Sequence, residues 1–193
     1  MRTIRVGDSN VFVDSAERTD GRPPLIVLAA ATALAVDPSE LVEGRRCPDC
    51  GSADHGRPFV AFADGRASEC WVSLSRAASL EAAVARLGGP VGIDIESRSA
   101  VAQHPVAGTL LHPDEVDEAD DADDVIVSRW TAKEALLKAT GHGLRIDLRS
   151  IWLELADGAA TVERWPAELA LTAPARISFF ELTDDVVGAI AEL

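Results

Sequence analysis

The sequence is short of positive charge, of cysteine and of long apolar runs, and each shortage excludes something. Against 32 acidic residues it sets only 18 lysines and arginines, a formal charge of −14. A surface of that sign has no general affinity for nucleic acid or for an anionic membrane. Three cysteines, Cys47, Cys50 and Cys70, are too few and odd in number for a disulfide framework. The first residues carry Asp8, Asp14, Glu17 and Asp20 without an apolar run, so no signal peptide is expected and a cytoplasmic location is. The longest apolar stretch, Leu25 to Val36, is too short to span a bilayer and reads as a buried helix. Low-complexity segments and internal repeats are lacking as well. What is present is apolar material for a core: 47% of 193 residues are hydrophobic, which excludes disorder and fits one domain or two small halves packed together.

Patterning gives the elements. Ile4–Val6 and Val11–Val13 read as a hairpin around Gly7-Asp8-Ser9-Asn10. Pro23-Pro24 opens a helix to about Val36, and Pro38-Ser39-Glu40 starts a further turn. Glu43 to Pro58 reads as loop. Phe59–Ala63 and Cys70–Leu74 read as strands with an Asp64-Gly65 turn between them, and Ser79–Leu87 as a short amphipathic helix stopped by Gly88-Gly89. Val91–Glu96 is a strand, and Val125–Thr140 the best helix in the chain. Ile151–Leu155, Arg176–Glu181 and Val186–Ala191 follow as antiparallel strands. Helices segregated from strands point to the α+β class. The acidic run Asp114, Glu115, Asp117, Glu118, Asp120, Asp121, Asp123 and Asp124 reads as a solvated, flexible loop.

Two segments carry chemistry. In Gly92-Ile93-Asp94-Ile95-Glu96, strand period puts Asp94 and Glu96 on one face, opposite Ile93 and Ile95. In the helix, Glu134 and Lys138 share a face at i, i+4 spacing, with Lys133 immediately before. Asp94, Glu96 and Glu134 are hard oxygen ligands that suit Mg2+, an ion that commonly completes its shell from water and substrate phosphates. Taken alone, Glu134 and Lys138 read equally well as a surface ion pair worth a few tenths of a kcal/mol, on the order of 0.2–0.5. Cys47-x-x-Cys50 is half a zinc site, with His55 or Cys70 as further ligands, but its irregular spacing favours a tight turn with free thiols.

Gly92-Ile93-Asp94-Ile95-Glu96, followed by Trp130-x-x-Lys133-Glu134-Ala135-x-x-Lys138-Ala139-x-Gly141-x-Gly143-Leu144, resembles the two hallmark motifs of the 4′-phosphopantetheinyl transferases. The longer, pseudo-dimeric (Sfp-type) branch is the better match. Cys47-Pro48-x-Cys50-Gly51, His55-Gly56-Arg57-Pro58 and Val72-Ser73-Leu74-Ser75 are similar to the segment preceding the first motif in actinobacterial members. The resemblance covers roughly residues 40 to 150. It implies two pseudo-symmetric halves, residues 1–90 and 91–193, each a small antiparallel sheet packed with a helix, with the active site in the cleft between them. It implies Mg2+-dependent transfer of the phosphopantetheine arm of coenzyme A to a serine of an apo acyl or peptidyl carrier protein, releasing 3′,5′-ADP, by a monomer. By the same resemblance Asp94, Glu96 and Glu134 hold Mg2+, and Glu115 helps deprotonate the carrier serine. Lys138 holds a phosphate oxygen, and Arg57, Ser75 and Arg76 contact coenzyme A.

The chain departs from that pattern in three places. Ser75-Arg76-Ala77 stands where the family usually has Ser-His-Ser, so Arg76 is offered to the 3′-phosphate in place of histidine, or is an exposed arginine. No basic residue lies between Pro23 and Glu43, where the family usually grips coenzyme A. Carrier proteins are themselves acidic, so docking requires a local basic or apolar patch, with Arg98, Arg145 or Arg149 as candidates. A member of this fold diverted to a binding or regulatory role is the alternative reading. A third is a Mg2+-dependent enzyme acting on some other diphosphate.

Overall fold

A computed structural model describes residues 1–17, 19–104, 106–116, 123–169, 171 and 174–193, and the class is α+β. Asp117, Glu118, Asp120 and Asp121 of the expected acidic loop lie outside the described residues. Gly7, at φ 54°, turns β1 (Arg2–Val6) into β2 (Ser9–Ser15). Pro24 precedes α1 (Leu25–Leu34), whose end is closed by Ala35 in the left-handed region. A short 3-10 turn, Pro38–Glu40, is capped by Asp37 and leads into β3 (Leu41–Arg46). β4 (Arg57–Phe62), β5 (Cys70–Ala77) and β6 (Leu80–Leu87) complete the first stretch.

The second stretch opens with β7 (Val91–Ser97), α2 (Arg98–Ala102) and α3 (Ala107–Leu110). After a 3-10 turn at Pro113–Glu115 comes the long helix α4 (Asp123–Thr140). β8 (Trp152–Ala156), β9 (Ala159–Arg164), β10 (Arg176–Glu181) and β11 (Val186–Glu192) close the chain. Among the described residues no helix is long and apolar enough to cross a membrane.

Three antiparallel sheets result, in the orders β1-β2-β6-β5, β7-β11-β10-β9-β8 and β3-β4. Each larger sheet carries one helix. α1 packs with Phe12, Val72 and Ala83, and α4 with Leu153, Ile177, Ala189 and Ala191. The opposite faces of the two sheets share a core in which Val11, Val13 and Val84 meet Ile93, Ile95 and Ile190. The sheets also meet edge to edge, β5 beside β7, where a side chain replaces a ladder bond: Ser73 Oγ accepts from the Ile93 N–H at 3.1 Å.

The structure corrects three sequence expectations. Ser79–Leu87 is not a helix: Leu80–Leu87 is a strand between β2 and β5. Its alanine-rich run satisfies either period, and pairing on both sides decides for the sheet. Ala82 and Val84 then face the shared core while Ala83 and Ala85 face α1. The segment expected as loop from Glu43 begins inside β3, because its backbone finds a ladder with β4 (Glu43 opposite Val60) despite its charged side chains. β9 was not foreseen; Asp157 and Gly158, both at positive φ, fold it back onto β8.

Candidate active site

The acid-bearing strand and the lysine-bearing helix touch through a glycine. A Cβ on Gly92 would stand 2.5 Å from the Ala139 nitrogen and closer still to the Ala135 carbonyl. Only glycine lets β7 lie this close to α4. Strand alternation puts Gly92, Asp94 and Glu96 on that same face. α4 ends with Gly141 at φ 77°, and the His142 N–H reaches the Leu137 carbonyl at 3.1 Å, a glycine-closed terminus that sends the chain past the site.

Asp94 is 3% exposed. Its Oδ1 accepts from Lys138 Nζ at 2.6 Å and from the Ser75 hydroxyl at 2.8 Å, and Lys138 also donates to Ser75 Oγ at 3.1 Å. Asp94 Oδ2 is buried and has no hydrogen-bond partner among the described residues. Burial, offset by Lys138, raises the Asp94 pKa. Burial, followed by the charges of Asp94 and Glu134, pushes Glu96 up to about 7, against the pull of Lys138 and a hydrogen bond from Trp130. Glu134 is raised too, by burial first and by the charge of Asp94 second. Three carboxylates thus crowd one cationic side chain, and each is held back from ionising.

Whether a divalent cation fits can be tested on these atoms. The ligand oxygens of the three acids do not all lie within 4.8 Å of one another, and Lys138 stands on Asp94 in their midst. Yet a buried carboxylate oxygen without a donor is costly, and hard anionic oxygens that raise one another's pKa are what Mg2+ relieves. The donor set fits the ion.

Beyond Lys138 the surface turns basic. A cavity of about 380 Å³ is lined by Arg45, Arg57, Leu74, Lys138, His142 and Arg145, among others. A more open groove of about 960 Å³ adjoins it, walled by Arg46, Phe59, Trp71 and Gly141 and sharing Arg57. Arg57 lies 4.7 Å over the Trp71 ring and donates to the Ala139 carbonyl at 3.4 Å, and burial lowers its pKa. Arg145 is anchored by Asp49 at 2.6 Å and by the Gly141 and His142 carbonyls. Arg45, Trp71 and His142 were not among the expected site residues. The glycines flanking His142, which let the chain turn back beside Arg57, were the available signal.

Two of the expected site residues stand elsewhere. Arg76, one residue from Ser75, leaves the opposite face of β5 and is ion-paired to Glu81, with Nε 2.6 Å from Oε2. It borders a separate cavity of about 440 Å³ with Glu43, Arg45 and Glu81. Glu115 has no solvent exposure. Its oxygens accept from Lys133 Nζ at 2.6 Å, the His112 N–H at 2.8 Å, the Leu153 N–H at 2.8 Å and Arg129 at 2.9 Å. A carboxylate so enclosed has neither an open lone pair nor access to a carrier serine, so this conformation does not present it as a base.

Residues 90–191 match the family model described as the 4′-phosphopantetheinyl transferase superfamily, and the chain belongs to that family. Among solved structures it is similar to the holo-[acyl-carrier-protein] synthase of Neisseria meningitidis, at 24% identity and TM-score 0.46 over 54% of this chain and 97% of that one. It is also similar to the holo-ACP-synthase of Plasmodium yoelii, at 19% identity and TM-score 0.41 over 53% of this chain and 91% of that one. No curated protein matches the sequence.

Proposed function

We propose that this protein transfers the 4′-phosphopantetheine arm of coenzyme A to a serine of an apo acyl or peptidyl carrier protein, releasing 3′,5′-ADP. The reading includes the pseudo-dimeric branch of the family, with residues 1–90 and 91–193 as the halves that bound the cleft. The observation that carries it is Asp94. One of its oxygens is held by Lys138 and Ser75, and the other is buried without a partner beside Glu96 and Glu134. Asp94, Glu96 and Glu134 would hold Mg2+, which when bound would neutralise and align a pyrophosphate.

The remaining work falls to the chain's own residues. Ser75 orients both Asp94 and Lys138 by its bonds to each. Lys138 offsets charge on the phosphate from which the leaving group departs, an electrostatic role that phosphoryl-type transfer rewards. Arg57, Arg45 and Arg145 line the basic cavity and supply contacts for the remaining phosphates of coenzyme A. Arg57 takes the position beside the nucleotide, stiffened by Trp71. Glu115 acts as a brace under α4, not as the group that takes the serine proton.

Incubating apo carrier proteins with this protein, coenzyme A and Mg2+, then measuring intact mass, tests the reading. The expected gain is one phosphopantetheine arm, lost with Glu134→Ala or without Mg2+. No gain on fatty-acid, polyketide or peptide carriers, with no coenzyme A binding, overturns it. Two observations favour a diverted, non-transferase role: α1 carries no basic residue, and the chain is strongly acidic. No transfer to any carrier together with no Mg2+-dependent thermal shift from coenzyme A is the result that role predicts.

A further inference from the structure

A second ligand-bearing cluster lies outside the carboxylate site, in the loop that joins β3 to β4. Ligand atoms of Cys47, Cys50 and His55 all fall within 4.8 Å of one another. Cys50 Sγ is 3.5 Å from His55 Nε2. A tetrahedral Zn2+ with bonds of about 2.3 Å to thiolate and 2.0–2.1 Å to imidazole holds those two atoms about 3.5 Å apart. The pair already stands at the spacing of two corners of that tetrahedron.

The backbone is shaped around the cluster. The backbone N–H groups of Asp49 and Cys50 turn toward the Cys47 sulfur. The Cys47 N–H bonds to the Ser52 carbonyl at 2.9 Å, and the Gly51 N–H returns to the Cys47 carbonyl at 3.0 Å, with Gly51 at φ 74°. Gly56 supplies the close approach. A Cβ there would stand 2.5 Å from the Arg46 carbonyl oxygen and from the Cys47 nitrogen and Cα. Any other residue would push the segment carrying His55 away from Cys47. The turn expected from the sequence is present, and it gathers the three side chains.

We propose that Cys47, Cys50 and His55 bind one Zn2+, with solvent as the fourth ligand, and that the ion locks the 47–57 loop against the basic cavity. Two sulfurs and an imidazole select a soft or borderline cation and exclude Mg2+, so this site and the carboxylates do not compete for one ion. The lock acts on residues flanking the cluster. Asp49 holds Arg145 at 2.6 Å, and the chain leaves His55 and Gly56 directly into Arg57, over Trp71. Zinc is therefore a positioning element for two of the cations that line the cavity.

The full chain, purified reduced, equilibrated with Zn2+ alone and desalted, is assayed for metal by mass spectrometry. About one zinc per chain is expected in the wild type and in Glu134→Ala, falling to less than a tenth in Cys50→Ser. Cys50 is exposed, so that variant keeps its core. Replacement of zinc by Co2+ gives a thiolate-to-metal charge-transfer band in the wild type that is absent in Cys50→Ser. Either of two results overturns the site: a wild type that retains no zinc, or a Cys50→Ser variant that retains it in full. A Cys47–Cys50 disulfide forming in place of zinc under reducing conditions overturns it too. Metal content is read without coenzyme A or carrier, so the outcome is independent of the transferase reading.

Discussion

α4 presents two lysines, the only two in the chain, and each sits 2.6 Å from a carboxylate. All three N–H donors of Lys133 are taken. It is fully buried, donates to Glu115 and to the Leu110 and Leu148 carbonyls, and Glu115 in turn accepts from Arg129 and two backbone N–H groups. Around Lys138 the account is left open. The Lys138 side chain is 28% exposed, one oxygen of its partner Asp94 is unpartnered, and two further carboxylates nearby resist ionising. A satisfied buried network fixes structure, whereas an unsatisfied one at a cleft edge stores affinity for something that arrives later. Five residues along one helix separate a brace from a site.

Breaking the closed network has the largest expected effect on stability. Glu115→Ala leaves Lys133 and Arg129 buried without their carboxylate, and urea unfolding is expected to report a loss of about 3–5 kcal/mol. Lys138→Ala inverts the pattern. Its loss of stability is smaller, because the lysine is partly exposed and Asp94, left without its cation, can take up a proton, while the rate of carrier modification falls by about 10²–10³. If Lys138→Ala unfolds the protein and Glu115→Ala abolishes transfer at unchanged stability, the comparison is reversed.

A smaller effect sharpens the contrast through pH. Glu96 titrates at about 7 in the folded chain against an ordinary value of 4.5. Below the ordinary value both states carry the proton; between the two values only the folded state does. The folded state's advantage is therefore greatest at low pH and is lost as pH rises toward about 7. Without divalent metal, thermal unfolding should show this decline, and Glu96→Gln should flatten it. An identical slope in that variant would remove Glu96 as its source.

Legibility from sequence divides along the same line. Period alone put Asp94 and Glu96 on one strand face and Glu134 and Lys138 on one helix face; that the two faces form one site was expected from the resemblance, and the close approach at Gly92 was not foreseen. Glu115 was not readable, since its partners come from a 3-10 turn, α4 and the start of β8, which local pattern does not connect. Arg76 failed for a local reason: strand alternation turns it away from Ser75, and Glu81 on the neighbouring strand claims it. β6 was misread because alanines carry no period of their own, and β3 because charge masked a ladder.

The pairing of β7 has a consequence for timing. Asp94 lies opposite Ala189 on β11, and β8, β9 and β10, which come between them in sequence order, do not pair with β7. During synthesis the acid strand therefore waits, unpaired on that side, until β11 is made. The nascent protein carries its glycine, acids and lysines long before it can hold them in register. Whatever the cleft binds, it binds only once β11 is in place beside β7.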